Sequence, residues 1–368
     1  MEPVAEQRND QSGKPADDKT EATPTTTKAS KFVRPRATSD RTKRAIALGT
    51  AAAAMGGLGA AATRSGEAPP QPGKPAPGPV ALNEAESYRV LNVSKDWDIE
   101  QTKNEQVDFF IDFLQWRNRD KTKLWLERLG KYGPMIQQKL AERGMPQDLL
   151  WLATIESGMN PNAYSKAAAA GLWQFIEETG ERHGLEVTKY VDERRDPVKS
   201  TDAALDYLSK LNQRFGGSWY LAAAGYNTGE NRVERIVRER AGGRMGDESV
   251  FWQIDNHLPS ETRDYVPLML AMGHIGKDPH KYGFTDLAMQ QPLSYDEVQV
   301  EAGVLLSKVA ESIGVPAAEV YDLNPHLVKK MTPPDREWSV RIPKNKAAQF
   351  AASMATGGTQ TAGGDAAE

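Results

Sequence analysis

The chain of 368 residues contains no cysteine. That absence excludes disulfides, thiolate metal sites, a cysteine nucleophile and a lipidated cysteine, while leaving the redox compartment open. Histidine is scarce. His183, His257, His274, His280 and His326 are scattered without an HExxH or similar pairing, and they read as surface or capping residues rather than ligands. Neither a Walker loop nor a dinucleotide fingerprint is present, so no metal or organic cofactor is expected. Nor does one sign of charge dominate: 46 basic and 50 acidic residues leave a net charge of −4, which gives no reason to propose nucleic acid as a partner.

What is present divides the chain by composition. Residues 1–44 are rich in Thr, Lys, Asp, Pro and Ser, poor in large apolar side chains, and expected to be disordered. Residues 45–63 carry no charge and follow Arg34, Arg36, Arg41, Lys43 and Arg44, a flank that predicts a cytoplasmic N-terminus with everything downstream exported. Three readings of this stretch stay open. Ala60-Ala61-Ala62 suits signal peptidase; the length suits an anchor in the inner membrane, with Ile46, Leu48, Met55 and Leu58 as its strong apolar residues; an Ala-rich soluble helix has the same composition. The first two place the protein in the periplasm or cell envelope. Residues 64–82 form a proline-rich, extended linker.

From 83 to 290 the pattern is helical. Val107, Phe110, Ile111 and Leu114 form one stripe, Leu124, Leu126, Leu129, Ile136 and Leu140 continue it, and Leu205, Leu208 and Leu211 mark another helix. Sustained strand alternation is lacking, so the fold class is mainly α. Residues 291–352 read instead as a small α+β module: strand at 297–300, helices at 304–313 and 317–323, strand at 338–342. A disordered tail is expected over 353–368.

The chemistry points to Glu156. Pro146 suits a first helical turn, Asp148 complements the positive helix end, and Leu149, Leu152, Ile155 and Glu156 follow at helical spacing. Gly158 stops the helix and Asn160-Pro161 prevents its continuation. The carboxylate is thereby placed in the last turn, where the partial negative helix end and partial burial both disfavour ionisation. A glutamate protonated near neutrality can donate a proton to a leaving oxygen. Three further segments keep it company: Gly171-Leu172-Trp173-Gln174-Phe175, Ala224-Gly225-Tyr226-Asn227-Thr228-Gly229, and Glu261-Thr262-Arg263-Asp264-Tyr265-Val266-Pro267.

In this order and at these spacings the four segments resemble family 1 lytic transglycosylases. Asp192 through Leu211, Phe251-Trp252 and Tyr282-Gly283 fit a membrane-bound subgroup of them. The resemblance implies a lysozyme-like helical (SLT) domain that cleaves the β-1,4 bond between N-acetylmuramic acid and N-acetylglucosamine in peptidoglycan glycan strands. It casts Glu156 first as acid and then as base, with the muramic acid C6 hydroxyl attacking its own C1 to leave a 1,6-anhydro end. By position in the family pattern, Ser165 orients the acid, Gln174 contacts sugar amide or hydroxyl groups through donor and acceptor, and Tyr226, Asn227 and Tyr265 line the cleft, while Trp173 packs. Glu177, Glu178, Glu230 and Glu261 are the candidates for a second carboxylate, which the scheme does not need; a charged helix face or a loop cap accounts for each more cheaply. A hydrolytic muramidase and an inactive glycan-binding scaffold are the competing readings.

The strand-helix-helix-strand order at the end resembles a LysM module, with Val320-Tyr321-Asp322-Leu323-Asn324-Pro325 after the second helix and Val340-Arg341-Ile342-Pro343 as the closing strand. A working glycan site and a structural cap both stay open. Two departures from the family stand out: the lipidated cysteine of many relatives is missing, and Gly225 replaces the alanine usual before the tyrosine.

Overall fold

A computed structural model describes residues 94–357. The readings for 1–44, 45–63 and 64–82 fall outside the described residues. Within them, Asn104 opens α1 (Glu105–Asp112) by accepting hydrogen bonds from the Gln106 and Val107 amides at 3.0 Å each. A π turn, Phe113–Arg117, leads into the long α2 (Arg119–Glu142). There follow α3 (Leu150–Ser157), α4 (Glu177–Arg182), α5 (Pro197–Arg214), α6 (Trp219–Thr228), α7 (Glu230–Arg240), α8 (Ser249–Ile254) and α9 (Ser260–Lys277). Helix α9 is buried on every side from Tyr265 to Gly273, and packs against α1, α3 and α6. A helix apolar all round belongs inside a core, and this one carries Tyr265 there.

Close approach between α3 and α9 depends on glycine. A Cβ on Gly276 would lie 2.3 Å from the Trp151 ring, and one on Gly273 would lie 2.5 Å from Trp97. Without side chains there, Trp151 settles onto α9, the helix that also carries Tyr265.

Several local expectations shift. Pro146 stands just ahead of a single 3₁₀ turn, Gln147–Leu149, instead of inside α3. Asp148 does more than complement a helix end: it is buried, ion-paired to Lys277 at 2.6 Å, and accepts from Trp151 Nε1 at 3.0 Å. Leu124 is exposed, since on α2 the buried row runs through Trp125, Leu126 and Leu129.

After α9 the chain returns along α2, where the Gln290 and Leu293 amides donate to the Glu127 and Lys131 carbonyls at 2.9 Å each. It then builds the α+β unit: β1 (Tyr295–Val300), α10 (Leu306–Ser312), α11 (Ala317–Leu323), β2 (Trp338–Pro343) and α12 (Ala347–Gly357). The strands pair antiparallel, Tyr295 opposite Pro343 and Val300 opposite Trp338. A second apolar cluster, including Val300, Leu306, Val309, Val320, Val340 and Ile342, lies under them. Helix α12 continues to Gly357, past residue 353 where a tail is expected to begin, and its buried Phe350 joins that cluster.

The module is docked on the helical body. Val191 and Leu327 form an antiparallel bridge in which the Asp192 amide donates to the His326 carbonyl at 2.8 Å, and Val191 is itself part of the module's core. Beside the bridge, Asp196 caps α5 by accepting from the Val198 and Lys199 amides at 2.8 and 3.0 Å. The same carboxylate meets Arg341 Nη2 at 2.9 Å and His326 Nδ1 at 3.3 Å. All three side chains are buried, so His326 is neither a surface nor a capping residue. Trp338 Nε1 donates to His326 Nε2 at 3.3 Å, which places the ring proton on Nδ1, facing Asp196.

Candidate active site

Glu156 emerges at the last turn of α3, one residue before the C-terminal Ser157. Gly158 ends the helix in the left-handed region at φ 58°, and a Cβ there would strike Trp125 at 2.1 Å. The chain turns away at once, and the carboxylate is left half-buried in the wall of a cleft of about 760 Å³. Burial pushes its pKa up to about 7; Tyr265 opposes this through a hydrogen bond to Oε1 at 2.6 Å, and Glu261 adds to it through repulsion. At neutral pH the group is poised between acid and base.

The cleft gathers all of the sequence-selected site residues: Glu156, Ser165, Gln174, Tyr226, Asn227 and Tyr265. Their contacts differ from those expected. Ser165 makes no hydrogen bond to Glu156; its Oγ accepts from the Ala167 and Ala169 amides at 3.2 and 3.0 Å and shapes its own loop. The residue holding the acid is Tyr265, from α9. Burial and the neighbouring Glu156 raise the Tyr265 hydroxyl well above the ordinary tyrosine range, so it stays a donor.

Gln174 adopts φ 49°, a left-handed conformation unusual outside glycine. Its Nε2 donates to the Gly171 carbonyl at 2.8 Å and to the Ala163 carbonyl at 3.4 Å, so the side chain braces its own turn and offers the cleft its acceptor. Asn227 accepts from Thr262 Oγ1 at 2.8 Å, which leaves its amide N–H groups for a ligand. Tyr226 donates to the Trp173 carbonyl at 2.8 Å, and Trp173 is fully buried, with Nε1 donating to Thr201 Oγ1 at 2.9 Å.

Sequence reasoning missed the aromatic floor. Tyr207 from α5 lies 5.3 Å from the Tyr226 ring and 4.6 Å from His183, and Phe175 lies 6.1 Å from Tyr226. Tyr207 donates to Glu230 at 3.0 Å, and Arg214 approaches Glu230 at 3.6 Å, so that carboxylate is engaged on both sides. Of the other second-carboxylate candidates, Glu261 lines the cleft while Glu177 and Glu178 lie outside its lining.

Residues 133–245, which include the half-buried acid and most of the cleft lining, match the family model of the transglycosylase SLT domain. Residues 294–358 match the LysM-like domain of lytic transglycosylase MltD, so the chain carries an SLT domain followed by a LysM-like module of that type. Membrane-bound lytic murein transglycosylase D of Escherichia coli (strain K12) is 36% identical over 231 residues, covering 62% of this chain and 50% of the relative. Membrane-bound lytic murein transglycosylase C of Yersinia pestis is 29% identical over 163 residues, 38% of this chain and 45% of the relative. The crystal structure of the 70 kDa soluble lytic transglycosylase of Escherichia coli aligns with 57% of this chain and 32% of its own, at 22% identity and a TM-score of 0.36. The chain spans about half the length of the curated relatives it matches.

Proposed function

We propose that the protein is a peptidoglycan lytic transglycosylase that cleaves the β-1,4 bond between N-acetylmuramic acid and N-acetylglucosamine. The observation that carries this reading is the Glu156 carboxyl, lifted to about 7 in a cleft and held by Tyr265 at 2.6 Å. Its proton passes to the glycosidic oxygen as the C1–O bond breaks. The carboxylate then takes the proton of the muramic acid C6 hydroxyl while O6 bonds to C1, which closes the 1,6-anhydro ring and restores the acid. No water is consumed. An attack from within the same sugar gains from proximity over attack by a separate water molecule.

In this reading Asn227 donates to sugar acceptors, Gln174 accepts from a hydroxyl or amide, and Tyr226 with Tyr207 offers ring faces to the pyranose. Ser165 acts indirectly, by fixing the loop that closes one wall. The place of action is the cell envelope, reached through residues 45–63 as a cleaved signal or an inner-membrane anchor. Among the described residues no helix is long and apolar enough to cross a membrane.

Digestion of purified peptidoglycan by the full chain tests the reaction. The soluble products are expected to end in 1,6-anhydro-N-acetylmuramic acid, each one water lighter than the hydrolytic product and resistant to borohydride. Reducible muramic acid ends as the main product would establish a muramidase instead, and tight binding with no product would establish a scaffold.

A further inference from the structure

The turn Asp192-Glu193-Arg194-Arg195-Asp196, between α4 and α5, is charged at every position. A run of charges is ordinarily solvated. Here Asp192, Glu193, Arg194 and Asp196 are all buried, and the chemistry above uses none of them. Asp196 belongs to the joint with the module, and Glu193 accepts from the Glu186 amide at 2.9 Å. Arg194 reaches the cleft instead. One edge of its guanidinium, Nε and Nη2, donates to the Asp192 carboxylate at 2.8 and 3.0 Å, while Nη1 donates to the carbonyls of Ala168 at 3.0 Å and Phe175 at 3.3 Å.

Those two carbonyls belong to the segment that supplies Ser165, Ala167, Ala169, Gln174 and Phe175 to the cleft lining. Ala168 stands between two of the lining residues at φ 59°, a left-handed conformation that alanine keeps only where its surroundings fix it. Its amide donates to the Ser165 carbonyl at 3.0 Å, and Arg194 holds its carbonyl. The foot of this brace is fixed as well. The Asp192 amide donates to the His326 carbonyl of the module at 2.8 Å, and the Arg194 stem lies on Gly180 of α4, where a Cβ would be 3.2 Å from its Cγ. A buried ion pair adds little stability over apolar side chains of equal volume, but a planar fork fixes directions that a lysine ammonium does not.

We propose that Arg194 is a positioning residue for the glycan: it does not touch the strand, but holds the 165–175 wall of the cleft in the shape that binds it. The Glu156 carboxyl is governed from elsewhere, by burial, Tyr265 and Glu261, so the brace acts on binding and not on proton transfer. The proposal rests on the reading that the cleft takes peptidoglycan.

The test measures cleavage of soluble, uncross-linked peptidoglycan strands by the full chain, by Arg194→Lys, and by the pair Asp192→Leu/Arg194→Met. The pair removes both buried charges together, and so serves where the lysine variant fails to fold. Both variants are expected to raise KM about tenfold, with kcat within about threefold of wild type and the alkaline limb of the rate profile unmoved. A residue that only stabilises the fold would instead lower kcat in proportion to the folded fraction and leave KM alone, and that result would overturn the proposal. A shifted alkaline limb would overturn it too, by placing the effect on Glu156. If the wild type releases no product, the proposed reaction fails and binding decides this point separately. Weaker co-sedimentation of the variants with sacculi, at unchanged helical circular dichroism, would support the brace; equal co-sedimentation would refute it.

Discussion

In the proposed reaction Glu156 concentrates the chemistry in one side chain, and its environment has consequences that separate activity from stability. Its pKa rises from 4.5 to about 7, so folding favours the protonated form; the stability it contributes is complete below 4.5 and is lost as pH rises through about 7. A shift of this size corresponds to roughly 3 kcal/mol. Glu156→Gln keeps an acceptor for Tyr265 but cannot deliver a proton, and is expected to lower turnover by about 10² to 10⁴ or more. The same variant should melt a few degrees higher than wild type near about pH 8 and no higher near about pH 4, as read by calorimetry. Activity within a few-fold of wild type would move the acid elsewhere. In the wild type, the alkaline limb of the rate profile should fall near about pH 7, and Tyr265→Phe should move it upward, because the lost hydrogen bond favours the ionised acid.

At the scale of elements, two glycines of the cleft-bearing segments make contrasting demands. A Cβ on Gly171, at φ 84°, would lie 1.7 Å from the Arg194 carbonyl oxygen, a clash with backbone that nothing can relieve cheaply. Gly225, inside α6, would place its Cβ 2.8 Å from the Phe215 ring, but there alanine also gains about 1 kcal/mol of helix propensity. Gly171→Ala should therefore cost about 3 kcal/mol or more and Gly225→Ala only about 1, an order that urea midpoints can check. Equal midpoints would contradict the close approach at Gly171. An alanine at this position thus meets a real obstacle in this chain, since Phe215 fills the space. The end of α3 was legible because local signals agree: a periodic apolar face, then Gly158, then Asn160-Pro161. The strands and helices of the module were legible to within a few residues for the same reason. Tyr207 was not, because it lies off the Leu205, Leu208, Leu211 stripe and its partner Glu230 is 23 residues away. Nor did sequence mark the Tyr265 contact to Glu156, which spans 109 residues and exists only once α3 and α9 have packed.

For the whole molecule, the joint between body and module turns on Asp196. Burial pushes its carboxyl up, but Arg341, His326 and the Lys199 amide more than offset this and hold it below the ordinary aspartate value. Arg341→Met would strand that charge in the interior, and is expected to cost about 3 to 5 kcal/mol and to raise hydrogen exchange in both α5 and β2. Loss confined to β2 would mean that the two parts fold independently. His326 adds an acid limit: burial lowers its pKa from 6.5 to about 4, so its contribution is complete above 6.5 and lost as pH falls through about 4. This opposes Glu156 across the same window, and the Glu156→Gln variant isolates it. Asp196 also has a reach beyond the joint. It is the first fixed point of α5, and Tyr207 stands eleven residues further along the same helix, about 16 Å away at 1.5 Å per residue. The helix is thus a rod clamped by the module at one end and bearing the aromatic bed of the cleft at the other. In the proposed reading, a module that never touches sugar still sets how firmly the strand is held, because it fixes the far end of the helix on which that bed is carried.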